Sequence, residues 1–475
     1  MSYEVVLGLE VHAELATDSK IFCACPVSYG AEANRNVCPA CAGMPGLLPV
    51  INRKVVEYGI TAGLITNCQI TRFTTFDKKN YYYPDLSNSY QITQMYAPIC
   101  TNGWIEINTS QGKKKIGIKQ IHMEEDAGKL IHDDWQGISL VDYNRCSVPL
   151  VEIVSNPDFR SAEEVIAYLE KLRSLLRFAQ IARARFEEGS IRCDVNISVR
   201  QKGDPQLGVR TEIKNMNSLS AIQRAIAFET ERHIDAIEWG EPLVQETRRW
   251  DDAKNQSFAM RDKENAGDYF YFPDPDLTPI EISQEWIDQV AGSLPEMPDQ
   301  KRRRYSSELE IKDQDAELLI QSPRLAAIFE QVAALCGQPQ ETANWLVGEG
   351  LALAKKNASP IEDITLNPNK LAYLIRLVNE NTLTRANGKR LFAAIFAEDV
   401  DPDTYIKEHQ LDATVDSGAL EQLLQEIVAA NPKSVSDYRA GKTKALDFLF
   451  GQAMRTLKGT GDPGEIKAIL SRLLG

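Results

Sequence analysis

Four stretches of the chain alternate apolar and polar residues with a period of two. In residues 4–15, EVVLGLEVHAEL, the residues Leu9, Val11, Ala13 and Leu15 fall on one side of a strand. Glu10, His12 and Glu14 fall on the other. Residues 113–130, KKKIGIKQIHMEEDAGKL, alternate through Ile116 and Ile118, then place His122, Glu124 and Asp126 on one face and Glu125 on the other. Residues 147–155, SVPLVEIVS, set Glu152 in an otherwise apolar strand. Residues 191–200, IRCDVNISVR, alternate Arg192, Asp194, Asn196 and Ser198 against Cys193, Val195, Ile197 and Val199. One strand with a polar face is ordinary; several in one region predict a sheet whose polar face lines a cavity.

A period of 3.6 replaces the period of two elsewhere. Residues 161–179 read as a helix with Ser161 as N-cap and Glu164 three residues on. A second helix is predicted over 220–240, stopped by Gly240. At 292–308, GSLPEMPDQKRRRYSSE, prolines, a glycine and a basic run mark a domain boundary. Beyond it the strand signal fades, and 322–337, 341–356 and 369–380 read as amphipathic helices. A second break falls near 397–418, before a small helical unit. The pattern is α+β, with expected domains at 1–292, 293–404 and 405–475.

Composition changes little in this picture. The chain has 475 residues and a net charge of −14, which argues against a protein that coats nucleic acid without specificity. No apolar run approaches 18 residues and the N-terminus has no secretory pattern, so a cytoplasmic protein without a membrane span is expected. The charge is uneven, however. Lys433, Arg439, Lys442, Lys444, Arg455 and Lys458 face only Asp437 and Asp447, a local charge of +4. Such a cluster suits a phosphodiester backbone, and equally a solvated helical face.

Cysteine spacing adds a metal expectation. Cys23 and Cys25 form C-x-C, and Cys38 and Cys41 form C-x-x-C. Four thiolates from two knuckles suit a closed, structural zinc site. Cys68, Cys100, Cys146, Cys193 and Cys336 are scattered and read as small buried apolar residues. Carboxylates and imidazole on the polar strands are instead hard ligands, suited to Mg²⁺ or Mn²⁺ and to phosphoryl transfer, unless they form a salt-bridged sheet face. Lys78 and Lys79, beside three tyrosines in FDKKNYYYPDL, offer positive charge for phosphate. Two nucleotide motifs fail: Gly441-Lys442-Thr443 has Ser436 where a P-loop needs glycine, and GTGDPG at 459–464 follows a helix, where a helix–helix turn is expected.

Read in order, LGLEVHAEL, NVCPACAGMPG, FDKKNYYYPDL, IHMEEDAGK, DYNRCSVPLVEIVSNPD, EEGSIRCDVNISVR, TEIKNMNS and FGQAMRTLKGTGDP closely resemble the B subunits of the aspartyl/glutamyl-tRNA amidotransferases. The resemblance spans essentially the whole chain. It implies a catalytic cradle domain with a large, mostly antiparallel sheet, related to glutamine synthetase and guanido kinases, then a helical domain and a tRNA-gripping tail. It implies work with a glutaminase A subunit and a small C subunit. The reaction implied uses ATP and Mg²⁺ to phosphorylate the side chain of Glu-tRNA(Gln) or Asp-tRNA(Asn), and ammonia then displaces the phosphate. By matching positions, Glu10, His12, Glu125 and Glu152 are the expected metal–ATP group; only one of Glu124 and Glu125 can enter the cavity, the family position favours Glu125, and strand phase does not choose between them because a bulge would flip it. Lys79 is expected at the transferring phosphate, with Lys78, Asp194 and Lys214 along the nucleotide cavity. The six basic residues from Lys433 to Lys458 are the expected tRNA contacts, and Zn²⁺ is expected on the four cysteines.

The chain departs from the family pattern in three places. LSNSYQIT (86–93) stands where LPKGYQIS is usual, Phe270 where arginine is usual, and Cys146–Ser147 where Ala-Gly is usual. Two other classes share parts of the pattern: a zinc-stapled RNA-binding scaffold and a stand-alone carboxylate–amine ligase. ADP formation that needs charged tRNA excludes the scaffold, and dependence on a partner glutaminase excludes the stand-alone ligase.

Overall fold

The computed structural model describes residues 2–133, 135–260, 269–411, 417–439, 442, 444–457 and 463–475. The chain divides into two compact units at Met297/Pro298. The first unit carries strands β1 (Tyr3–Glu14), β2 (Gln69–Ile70), β3 (Phe73–Thr74), β4 (Asp77–Asn80), β5 (Tyr90–Thr93), β6 (Cys100–Thr109), β7 (Gly112–Glu125) and β8 (Lys129–Asp133). It continues with β9 (Ile138–Asp142), β10 (Pro149–Ser155), β11 (Ile191–Gln201), β12 (Thr211–Lys214), β13 (Glu246–Asp251), β14 (Gln256–Ala259), β15 (Phe270–Pro273) and β16 (Ile280–Glu281).

Nine of these form one mixed sheet in the order β14-β13-β12-β11-β1-β10-β7-β6-β2. Its neighbours are antiparallel except for the parallel pair β12/β13. β1 sits in the middle of the sheet because its apolar side is continuous. Leu7, Leu9, Val11 and Ala13 are buried, beside Val151 and Ile153 of β10 and Cys193 and Val195 of β11. Each leucine, isoleucine or valine among them contributes on the order of 1.5–3 kcal/mol by leaving water. Helices α1 (Arg53–Ile65), α2 (Ala162–Phe178) and α3 (Leu219–Trp239) supply further residues to that core, among them Ile60, Leu172 and Ile222. A Cβ on Gly63 of α1 would come within 2.4 Å of the Cys100 sulfur, so glycine there permits the close approach of α1 to β6.

The local signals act as the pattern predicts. Ser161 Oγ accepts the Glu164 N–H at the start of α2. The return half of the capping box is displaced by one residue, since Glu164 Oε2 accepts from the Arg160 N–H. Gly240 ends α3 with φ of +71°. Beside the large sheet, β4 lies between β15 and β5 in a three-stranded sheet.

The second unit, Pro298–Gly475, is helical. The segment predicted as one helix over 341–356 is α-helical in Pro339–Ala343, π-helical in Asn344–Gly350 and α-helical again in Leu351–Lys356. The widened turn carries the buried Trp345, whose ring lies 5.6 Å from Phe392. Helices Ser417–Ala430, Lys444–Thr456 and Pro463–Leu474 close a separate apolar cluster that includes Leu424, Leu449, Ile466 and Leu470.

Candidate active site and metal-binding cysteines

The sheet register decides which polar residues meet. His12 lies opposite Glu152, and Glu152 opposite His122. Glu10 lies opposite Asp194, His12 opposite Arg192, and Asn196 opposite Glu212. Residues two apart on a strand share a face, so β7, β10, β1, β11 and β12 together present one polar surface. The opposite surface of the same strands is the core.

Two clusters stand on this surface. In the first, His12 Nε2 is 3.5 Å from Glu124 Oε1 and 3.7 Å from Glu152 Oε2. One ligand atom from each of the three lies within 4.8 Å of the others. Thr93 Oγ1 donates to Glu124 Oε2 at 3.1 Å. In the second, Glu10, Asp194 and Glu212 converge within the same 4.8 Å. Lys214 Nζ bridges Asp194 at 2.6 Å and Glu212 at 2.7 Å, Asn196 donates to Glu10 at 3.0 Å, and Thr247 donates to Glu212 at 2.8 Å.

The electrostatics are those of a site short of positive charge. Burial, then the nearby Glu152, pushes Glu124 up to about 8. Burial raises Glu10 and Glu152 as well, and Glu10 is raised further by Glu152 and Glu212. His12 moves the other way, held down to about 3 by burial and by Arg192, so its ring is neutral at pH 7. Neutral imidazole beside crowded carboxylates is the donor set of a hard divalent cation. Lys79 lies 4.8 Å from the Tyr269 ring centre and 5.6 Å from that of Tyr81. Burial opposes its charge, but Tyr271, Glu124, Tyr269 and Glu152 together hold the ammonium above its usual range.

Two expected site residues lie elsewhere. Glu125 does not join His12; Glu124 does. Leu150 is opposite Glu124 and Pro149 opposite Glu125, so alternation runs unbroken to the end of β7. The register shift in this pair is at Val154/Ser155, the far end. Glu125 therefore faces away, accepting from the Ile92 N–H at 2.9 Å and the Ser147 hydroxyl at 2.6 Å. It lines a small pocket with Phe22, Cys23, Cys41 and Tyr90. Lys78 likewise points opposite to Lys79, as neighbours on a strand must, and its ammonium is held by Asp276 at 2.6 Å and Asp274 at 3.3 Å. It is not part of the polar surface.

Sequence reading missed Glu212 and Thr93. Glu212 and Lys214 are two apart in TEIK, and that spacing was the available signal. Thr93 carried none, because only the fold brings β5 to the end of β7.

The four cysteines are free thiols that meet at one point. Their sulfurs all lie within 4.8 Å of one another, with Cys38–Cys41 at 3.8 Å and Cys41–Cys25 at 4.0 Å. A tetrahedron with Zn–S bonds of about 2.3 Å has S···S edges of about 3.8 Å, so the arrangement fits zinc.

The basic residues of the second unit sit on its surface. Lys433, Lys444 and Arg455 are exposed. Lys442 pairs with Asp437 at 2.9 Å, and Arg439 donates to the Leu474 carbonyl at 3.1 Å. Lys458 and residues 459–462 of the expected turn lie outside the described residues.

Two family models match the chain. The model of the GatB/GatE catalytic domain matches residues 5–288, which hold both carboxylate clusters and the cysteines. The model of the GatB domain matches residues 327–474. The chain is 52% identical over 472 residues to a Lachnoclostridium phytofermentans protein named as the B subunit of aspartyl/glutamyl-tRNA(Asn/Gln) amidotransferase, covering 99% of each chain. Proteins of the same name from Lachnospira eligens and Agathobacter rectalis are each 50% identical, over 99% and 100% of both chains. With two domain models spanning most of its length and such relatives matched end to end, the chain belongs to the family of B subunits of the aspartyl/glutamyl-tRNA(Asn/Gln) amidotransferases.

Proposed function

We propose that this chain activates the side-chain carboxylate of Glu-tRNA(Gln) or Asp-tRNA(Asn) with ATP and converts it to the amide with glutamine-derived ammonia. It is then a carbon–nitrogen ligase with glutamine as amido donor, the activity named for its relatives. The observation that carries the reading is the meeting of His12, Glu124 and Glu152 from three strands, within 4.8 Å, on a surface that also holds Glu10, Asp194 and Glu212.

A free carboxylate resists ammonia because its oxygen leaves poorly. Transfer of the γ-phosphoryl group to that oxygen, with ADP departing, supplies a leaving group. Ammonia then adds to the acyl carbon, inorganic phosphate departs and the nitrogen sheds a proton. His12, Glu124 and Glu152 would hold Mg²⁺, with Glu10, Asp194 and Glu212 beside them. When bound, the ion neutralises phosphate charge. Lys79 adds a fixed positive charge toward the transferring oxygens. Lys214 holds Asp194 and Glu212 in place through its two short ion pairs.

The remaining assignments follow the same reading. The sheet unit is the cradle, of glutamine synthetase and guanido-kinase kind. The helical unit comprises a helical domain and, from residue 405, a tail that grips tRNA through Lys433, Lys444 and Arg455 with Arg439 and Lys442. Zinc on Cys23, Cys25, Cys38 and Cys41 is structural. The partners are a glutaminase A subunit and a small C subunit, in the cytoplasm; among the described residues no helix is long and apolar enough to cross a membrane.

The test combines the purified chain and its partners with Mg²⁺-ATP, glutamine and each mischarged tRNA. Amidated aminoacyl-tRNA, with ADP formed only when charged tRNA is present, is the expected result. ADP formation indifferent to charged tRNA would overturn it.

A further inference from the structure

Lys20 is fully buried, at 0% exposure, in the segment that enters the cysteine loop. A buried ammonium is strongly unfavourable unless an opposite charge accompanies it. Lys78, also buried, has two aspartates. Lys20 forms no ion pair with a carboxylate among the described residues. Its ammonium donates instead to Cys41 Sγ at 3.5 Å and to the Tyr143 carbonyl at 3.4 Å. Cys41 is the one buried residue of the four cysteines. The Cys38 backbone N–H reaches the same sulfur at 3.2 Å.

We propose that Lys20 is the internal counter-ion of the zinc tetrathiolate, neutralising one of its two excess negative charges and fixing Cys41 through an N–H···S bond. The proposal rests on the zinc reading above. Neutral thiols would leave the Lys20 ammonium without a partner, whereas zinc holds all four sulfurs as thiolates and so supplies the missing anion. The second bond gives the lysine a further consequence. Tyr143 opens the turn Tyr143–Arg145, and Arg145 reaches Asp126, which Arg192 of β11 also binds at 2.7 Å. Lys20 thereby ties the metal loop to the rim of the polar surface. It is a positioning residue, acting on the metal through Cys41.

The experiment uses the full-length chain purified from zinc-supplemented medium. Zinc content is measured first, then the rate of zinc release to excess chelator, for wild type, Lys20→Met, Lys20→Gln and Lys20→Arg. One zinc per wild-type chain is expected. Lys20→Met should release it about 10- to 100-fold faster, the usual scale for losing an outer-shell partner. Lys20→Gln keeps an N–H donor but not the charge and should resemble Lys20→Met, against which it is read if the methionine variant does not accumulate. Lys20→Arg should return most of the retention. In Co²⁺-loaded protein, the thiolate-to-cobalt charge-transfer band should shift in Lys20→Met and return in Lys20→Arg. Removing zinc should also lower the melting temperature more in wild type than in Lys20→Met, because only wild type is left with a stranded charge. Equal release rates in wild type, Lys20→Met and Lys20→Gln would overturn the role of Lys20 while leaving the zinc site standing. A wild-type chain without zinc would instead overturn the metal reading itself.

Discussion

The polar surface of the nine-stranded sheet and the basic surface of the terminal helices both gather like charge, and burial separates them. On the sheet, Glu10, Glu124, Glu152, Asp194 and Glu212 crowd together with Lys79 and Lys214, and protonation equilibria move by large amounts. On the terminal helices Lys433, Lys444 and Arg455 stand in water, and the exposed Lys442 pairs with the half-buried Asp437. Charges of the first kind act on one another at short range, and loss of one leaves its neighbours uncompensated. Charges of the second kind act as a sum, screened by salt. The first arrangement suits chemistry at one atom, the second attraction of a polyanion.

The sharpest way to break the comparison is at Glu152. Glu152→Gln should lower transamidation about 10²- to 10³-fold, as removal of a transition-state electrostatic group does, while tRNA affinity stays unchanged. Glu124→Gln should behave likewise. Glu125→Gln, one residue on but facing away, should leave Mg²⁺ affinity unchanged; a large loss there with none at Glu124 would reverse the assignment. These are read by single-turnover assays and metal titration.

A smaller effect separates the units by pH. His233 is fully buried on α3 and held down to about 4, chiefly by burial and then by Arg232. Its unfolded value is near 6.5. As pH falls from about 6.5 to about 4, the unfolded chain takes up a proton that the fold refuses, so stability is lost across that window at up to about 1.4 kcal/mol per pH unit. His233→Gln should remove that contribution, seen as a shallower dependence of urea midpoints on pH. Residues 417–475 contain no histidine, so their unfolding should lack it. An identical slope in wild type and variant would refute this.

The smallest effect concerns the basic helices. Lys444→Ala should weaken tRNA binding a few-fold and reduce the slope of log K against log salt by about 1, one lost phosphate contact. Lys442→Ala should do less, because Asp437 already holds that ammonium. Binding isotherms at several salt concentrations measure both, and unchanged slopes would mark this surface as ordinary solvated helix.

How legible these features were differs by residue. The alternation of 4–15 gave the polar side of β1 directly, and that of 113–130 put Glu124 with His122, as the fold has it. The family resemblance instead chose Glu125, and register decided against it. Lys78 and Lys79 read alike in the sequence, as two positive charges for phosphate, and only the strand Asp77–Asn80 turned them to opposite sides. The knuckle spacing announced the cysteine cluster. Lys20 gave no signal, because nothing local shows that a lysine is buried.

What the sequence determined by itself is everything with a short range: strand sides, helix caps, the glycine stop after α3, the two cysteine knuckles and the family. These depend on dihedral preferences and on residues within a few positions of one another. Only the tertiary structure decided that Glu212 joins Glu10, that Thr93 meets Glu124, and that the partner of a buried ammonium is sulfur. Each depends on the pairing of strands or loops distant in sequence, where one step of register turns a side chain from the site into the core.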